Sequence, residues 1–457
     1  MKIRTTLFLS IFFFLFFLVC CTSPTEFKEK TNLLVITVDT LRADHLGCYG
    51  YYRDTSPNID ALAAEGTLFA RVYSQVSATI PSHASIMTSV YPWRLKVFNN
   101  QMAFRGGALT LAEVLQKQGY STGAVIGNGA LASRYGLSQG FNFYDDAMPE
   151  KEPNRAHYQK TPEQTTNSAI SWVKEQKNNH RPFFLWINHM DPHGPYTPTP
   201  PYNIMFKPVD RGHKIAKSAI NLERYHIPLY QQLEGQNDVD YYISQYDGEI
   251  RMTDKWIGIL IQGLKDLGFF ENTIVVVLSD HGESLGEHGW YFCHGNLASQ
   301  EQIRIPLIMR YPKLIPKNNR IAQPVESIDI MPTVLDLLGL PKPENANGKT
   351  LLPIMKKEKA HMVTIYSTSA LLDGKKITTA VIKEEWKITR SEDGAEELFN
   401  LAQDPKEDEN LMGKYPVVES KLRLLLDGEF AGIHFVQKNQ EMDPEKTKRL
   451  KSLGYIN

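Results

Sequence analysis

Two apolar runs, far apart in the chain, end in residues of types that can hold a metal ion. Leu33-Leu34-Val35-Ile36-Thr37-Val38 leads into Asp39, and Ile274-Val275-Val276-Val277-Leu278 leads into Ser279-Asp280-His281-Gly282. Continuous aliphatic runs of this length, rich in β-branched residues, suit strands buried on both faces of a parallel sheet. Gly123–Ile126, Phe183–Asn188 and Pro306–Met309 have the same character. Amphipathic helix-like stretches alternate with them, which predicts an α/β fold with a mostly parallel sheet. In such sheets ligands bind beyond the carboxyl ends of the strands. Asp39, Asn128, the segment His189 to His193, and Asp280-His281 are therefore expected to converge on one cleft.

The chain has 457 residues and a formal net charge of −1. That length carries a large core and predicts two domains. The balanced charge gives no field that would draw in nucleic acid. Residues 1–21 read as a targeting segment. Lys2 and Arg4 precede a Phe-rich apolar stretch, Leu7 to Val19, that is short for a membrane span. It ends in Leu18-Val19-Cys20-Cys21-Thr22-Ser23, which resembles a bacterial lipoprotein signal with Cys21 as the lipidated residue. The alternatives are a plain secretory signal or a short anchor. All of them put the mature protein outside the cytoplasm, and the lipoprotein reading ties it to the cell envelope by a lipid anchor only. Residues 22–31 read as a tether. Cys48 and Cys293 remain in the folded part, too few for a disulfide framework, and are expected as buried free thiols. The stretch Tyr196 to Asp238 reads as an insertion, either a solvated loop or an anion-binding lid carrying Lys207, Arg211, His213, Lys214 and Lys217. Charged residues at Lys356–Lys359 mark a boundary, giving a catalytic domain over 32–360 and a small C-terminal domain over 361–457 with short strand-like runs.

The run Thr79-Ile80-Pro81-Ser82-His83-Ala84-Ser85-Ile86-Met87-Thr88 opens a helix, with Pro81 in its first turn. The Thr79 hydroxyl then sits at a helix N-terminus, where the dipole favours an oxyanion. It is either an N-cap or a nucleophile.

This run resembles the nucleophile motif of the sulfatase family, in the alkaline phosphatase superfamily. The motif reads Cys or Ser, any residue, Pro, Ser, Arg. Asp39-Thr40-Leu41-Arg42-Ala43-Asp44-His45 looks like the family's first metal segment, and Asn188-His189-Met190-Asp191-Pro192-His193-Gly194 like its central histidine segment. Ser279-Asp280-His281-Gly282-Glu283 resembles the second metal segment. Further likenesses run through Tyr246 to Asp254, Ser327 to Thr333 and Glu397 to Leu401, so the resemblance covers nearly all of the mature chain.

The resemblance implies an alkaline phosphatase-like α/β sandwich with a small C-terminal α+β domain. It also implies a metal-dependent hydrolase of sulfuric, phosphoric or phosphonic esters. Asp39, Asp280 and His281 match the metal ligands, and Thr79 matches the nucleophile, itself a ligand when deprotonated. One divalent ion is implied, with Ca²⁺, Mg²⁺, Mn²⁺ and Zn²⁺ all compatible with two carboxylates and an imidazole. His193 matches a substrate-side histidine, and His294 stands where many relatives carry a lysine. His83 replaces the motif's arginine, either orienting Thr79 or filling space. The implied substrate is a small or glycan-borne anionic ester.

Two departures qualify the match. Family sulfatases oxidise Cys or Ser to a formylglycine aldehyde. Threonine carries a methyl on Cβ and cannot yield that aldehyde, so Thr79 has to attack directly. Thr40 stands in place of a second aspartate and is left off the ligand list. A phospho-group transferase acting on envelope acceptors and a non-catalytic surface lipoprotein are the competing readings.

Overall fold

The computed structural model describes residues 31–148, 159–179, 181–209, 212–358, 363–370 and 376–435. The signal-like segment, Cys21, most of the tether, Arg211 and the expected 360/361 boundary lie outside the described residues. The central sheet has eight strands: β1 (Asn32–Val38), β2 (Thr67–Tyr73), β3 (Ser121–Ile126), β4 (Phe143–Asp145), β5 (Phe183–His189), β6 (Thr273–Ser279), β7 (Arg304–Arg310) and β8 (Asn319–Glu326). Their order is β8-β2-β7-β6-β1-β5-β3-β4. Strand β7 runs antiparallel to both of its neighbours, and every other pairing is parallel. All five expected strands are present. The described elements extend the expected Pro306–Met309 run at both ends, because pairing to β2 and β6 recruits Arg304 and Arg310.

β1, β5 and β6 are buried along their whole length, as their uninterrupted apolar runs require. The two faces of β1 feed two cores. Leu33 and Val35 pack with α2 (Thr79–Thr88), α3 (Leu111–Lys117) and α6 (Ile330–Leu337). Leu34, Ile36 and Val38 pack with α1 (Pro57–Ala64), α4 (Pro162–Gln176) and α5 (Val239–Asp266). This is a helix–sheet–helix sandwich, and the period-2 alternation of a strand assigns each β1 side chain to its layer. Asp238 caps helix α5 by accepting the Tyr241 N–H, and the first turns bury Val239 and Tyr242.

A four-stranded antiparallel sheet follows: β9 (Thr364–Thr368), β10 (Thr378–Lys383), β11 (Trp386–Ser391) and β12 (Glu396–Asn400), with α7 (Pro416–Phe430) packed on it. Its first strand is stitched to the large unit beside the site. Ser367 Oγ donates to Ser74 O, Thr368 N–H to Gln75 O, and Ala370 N–H to Gly295 O. In the insertion, Lys207, His213, Lys214 and Lys217 are exposed, which favours the solvated-loop reading over a lid. Neither cysteine is in a disulfide, with Cys293 buried and Cys48 half-buried rather than fully enclosed.

Candidate active site

Strand register builds the site. Val38 lies opposite His189 on β5 and Ser279 on β6, so Asp39 and Asp280 leave the same end of adjacent strands. Asp39, Asp280 and His281 are fully buried, and one ligand atom from each lies within 4.8 Å of the others.

Each of these side chains is held by its far atom. Asp280 Oδ1 accepts the His281 N–H at 2.8 Å and the Thr40 N–H at 3.3 Å, while Oδ2 has no hydrogen-bond partner. Asp39 Oδ2 accepts from Asn128 Nδ2, and Oδ1 has no hydrogen-bond partner. His281 Nδ1–H donates to Gly282 O at 2.9 Å, which makes Nε2 the acceptor nitrogen. Nε2 lies 3.4 Å from Asp280 Oδ2 and 3.9 Å from Asp39 Oδ1. Two carboxylate oxygens with no hydrogen-bond partner and an acceptor imidazole nitrogen, close together in the buried interior, fit a divalent cation. Burial, and then the neighbouring Asp280 charge, push the Asp39 carboxyl well above its ordinary range. Burial also pulls His281 down to about 4, so its Nε2 lone pair is available at neutral pH.

Thr79 is the first residue of α2, and all ten residues of that helix are buried. The N-cap is Ala78, so Thr79 is not a capping residue. Its hydroxyl reaches His281 Nε2 at 3.4 Å. The next N–H, from Ile80, goes to Asn100 Oδ1 at 2.8 Å, and Pro81 has none. The helix is tied to the end of β6 by Ser82 Oγ, which donates to Asp280 O at 2.7 Å.

His83 sits behind Thr79. Thr37 Oγ1 receives Trp186 Nε1–H at 3.0 Å and an Asn188 Nδ2 hydrogen at 3.2 Å. Both lone pairs of that hydroxyl are thus used, so its own hydrogen goes to His83 Nε2 at 3.2 Å. His83 Nδ1–H then donates to Thr79 O at 2.8 Å. Burial lowers its pKa, in keeping with a neutral ring. Of the two options for His83, the geometry favours orienting Thr79, through its backbone. Both nitrogens serve the protein, so His83 does not take over an arginine's hold on an anion.

His294 stands next to His281, and His193 next to His294. The His281 and His294 ring centroids are 4.5 Å apart, and those of His294 and His193 are 5.1 Å apart. His294 Nδ1 bonds Glu283 Oε1 at 3.0 Å.

Three residues outside the expected ligand and catalytic set also stand here. Asn128 follows the end of β3 by two residues and fixes Asp39, a role that its place just past the strand foreshadowed. Glu283 follows His281 by two residues, yet nothing in its position distinguished it from a surface acid. Thr40 carries a buried hydroxyl with no hydrogen-bond partner, on a left-handed backbone at φ 54°, between Asp39 and the Asp280 carboxylate. A β-branched residue is strained there.

The chain is similar to known proteins in sequence and in fold. The Sulfatase family model matches residues 31–340, and that of the N-sulphoglucosamine sulphohydrolase C-terminal region matches 286–427. An ulvan-active sulfatase of Formosa agariphila is 25% identical over 410 residues, covering 84% of this chain and 78% of its own. Arylsulfatase K of Bos taurus is 27% identical over 448 residues, covering 86% and 80%. A solved structure of a protein in complex with its substrate D-glucosamine-2-N,6-O-disulfate superposes with TM-score 0.75 at 22% identity, over 88% of this chain and 97% of that one. The phosphonate monoester hydrolase of Agrobacterium radiobacter does so with TM-score 0.73 at 22% identity, over 88% and 96%. With a family model spanning 31–340 and the fold of solved relatives, this chain belongs to the sulfatase family of the alkaline phosphatase superfamily.

Proposed function

We propose that this sulfatase-family ester hydrolase uses Thr79 as its nucleophile, with Asp39, Asp280 and His281 holding one divalent ion. The observation that carries the reading is the Thr79 hydroxyl, uncommitted to capping and 3.4 Å from His281 Nε2 at the centre of that group. A divalent ion bound there would neutralise the two carboxylates and favour ionisation of a neighbouring hydroxyl. The chain's own residues do the rest. His83 and Asn100 fix the backbone on either side of the nucleophile. Thr79 Oγ, once deprotonated, attacks phosphorus or sulfur in line with the leaving oxygen. The new O–P or O–S bond forms as the old one breaks, giving a covalent threonine ester. His193 supplies the proton that the departing alkoxide takes up, and His294 faces the non-bridging oxygens. Water then cleaves the threonine ester.

The threonine side chain bears on the choice of substrate. Its Cβ methyl closes the formylglycine route, by which a sulfated hydrate collapses without attack on sulfur. A phosphorylated threonine has no such dependence, because water cleaves it at phosphorus. Phosphate diesters and phosphonates are therefore expected to turn over faster than sulfates with the same leaving group. The named sulfatase relatives and the phosphonate hydrolase neighbour are consistent with a small or glycan-borne anionic ester. Matched nitrophenyl phosphate, phosphodiester, phosphonate and sulfate esters, assayed with Ca²⁺, Mg²⁺, Mn²⁺ and Zn²⁺, test this as a ratio of kcat/KM. A clear preference for sulfate would overturn it.

The same reading places the enzyme in the cell envelope, facing away from the cytoplasm and held to a bacterial membrane through lipidated Cys21. It is motivated by the basic start, the apolar stretch and the Cys20-Cys21-Thr22 junction. No helix among the described residues is long and apolar enough to cross a membrane. Mass spectrometry of the native protein should find Cys21 as the first residue, carrying acyl chains. An unlipidated N-terminus at another residue would refute the anchor.

A further inference from the structure

Three imidazoles stand side by side here, and each is tethered through Nδ1. His281 Nδ1 bonds Gly282 O at 2.9 Å, His193 Nδ1 bonds Gly194 O at 2.9 Å, and His294 Nδ1 bonds Glu283 Oε1 at 3.0 Å. Two tethers are backbone carbonyls, which no side-chain change removes. The third is a carboxylate, buried to 0% exposure. Glu283 is not in the group of ligand atoms formed by Asp39, Asp280 and His281, so the metal-binding group does not account for its burial. Its backbone is fixed separately, the N–H donating to Glu301 O at 2.9 Å and the carbonyl accepting from Arg42 Nη1 at 3.0 Å. The side chain is therefore aimed from a rigid base.

Taking His294 to face the substrate's non-bridging oxygens, as above, we propose that Glu283 is a positioning residue for this reaction. Its carboxylate takes Nδ1–H and so turns Nε2 of His294 toward the substrate, where the imidazolium form donates Nε2–H to an anionic oxygen. A lysine in that place would need no such partner, because an ammonium carries three donors on a rotating stem. An imidazole has one useful direction on each side of its ring, and something has to choose it.

Two variants separate orientation from bulk. Glu283→Gln keeps an acceptor oxygen, and Glu283→Leu keeps the volume but offers none. Loss of an orienting partner of this kind costs ~10- to 100-fold. Glu283→Leu should therefore lower kcat/KM by ~10- to 100-fold with bound metal unchanged, and Glu283→Gln by clearly less. In a His294→Asn background, Glu283→Leu should add little, because the ring it orients is gone. Calorimetric affinity for inorganic phosphate and inorganic sulfate should follow the same pattern. That readout needs no turnover, so an enzyme inactive on every ester would sink the hydrolase reading while this one was still being judged. Equal losses from Glu283→Leu in both backgrounds, or no loss in either, would overturn the positioning role. Should Glu283→Leu not fold, the His294 Nδ1–H resonance decides in the wild-type protein. It must be present there and missing in His294→Asn, and its absence from the wild type overturns the proposal.

Discussion

Thr79→Ala should cut ester turnover by three or more orders of magnitude while leaving the fold and the bound metal in place. Removing a covalent nucleophile costs on this scale because the remaining groups can only assist a slower direct attack by water. The structure argues that the loss would be chemical rather than structural. Thr79 is not the helix cap, and α2 stays tied to the sheet through Ser82 and to Asn100 through Ile80. Thr79→Ser is the companion variant, since it restores a hydroxyl without the methyl and should recover much of the rate. Trapping with a slow phosphodiester and digesting the protein should find phosphate on the peptide containing Thr79. A Thr79→Ala protein that retains a tenth of the wild-type kcat/KM would remove Thr79 from the chemistry.

Asp280→Asn should abolish stoichiometric divalent-ion binding, read by elemental analysis after dialysis. The amide keeps an oxygen for the His281 and Thr40 N–H groups, which Oδ1 now accepts, so the loop should hold its shape. What disappears is the charge at Oδ2. The wild-type protein should gain about 2.7 kcal/mol from an ion at a hundredfold excess over its Kd, or about 3 °C in Tm for a chain of this size. The variant should show no such gain. Proton linkage gives a second readout. The Asp39 carboxyl is raised above its unfolded value by burial and by Asp280. Without an ion, the Asp39 contribution to stability is present below the ordinary carboxylate pKa and is lost as pH climbs toward the raised one. Ion binding has to expel that proton, so apparent affinity should rise with pH across the same interval. An Asp280→Asn protein with unchanged metal content would refute the assignment.

The central strands and their polar ends were legible because buried parallel strands leave uninterrupted aliphatic runs, and Asp39 and Asp280-His281 follow such runs directly. Thr79 and His281 could be paired only through family likeness, since nothing local to either segment encodes their 3.4 Å approach. Glu283 was missed for a physical reason. A single carboxylate in a loop reads as solvated until the ring eleven residues further on is seen to fold back over it. The role of His83 depended on Thr37, Trp186 and Asn188, three partners from two other strands that together decide which nitrogen holds the proton. Thr40 was set aside for lacking charge, whereas its buried hydroxyl and left-handed backbone emerge only in three dimensions.

The two halves of the candidate metal site lie far apart in sequence, the Thr40 N–H beside Asp39 reaching an Asp280 carboxylate 240 residues away. They meet only because β6 docks beside β1. A divalent ion held there would clasp an early segment to a late one, so that opening either strand end would first mean giving up the ion.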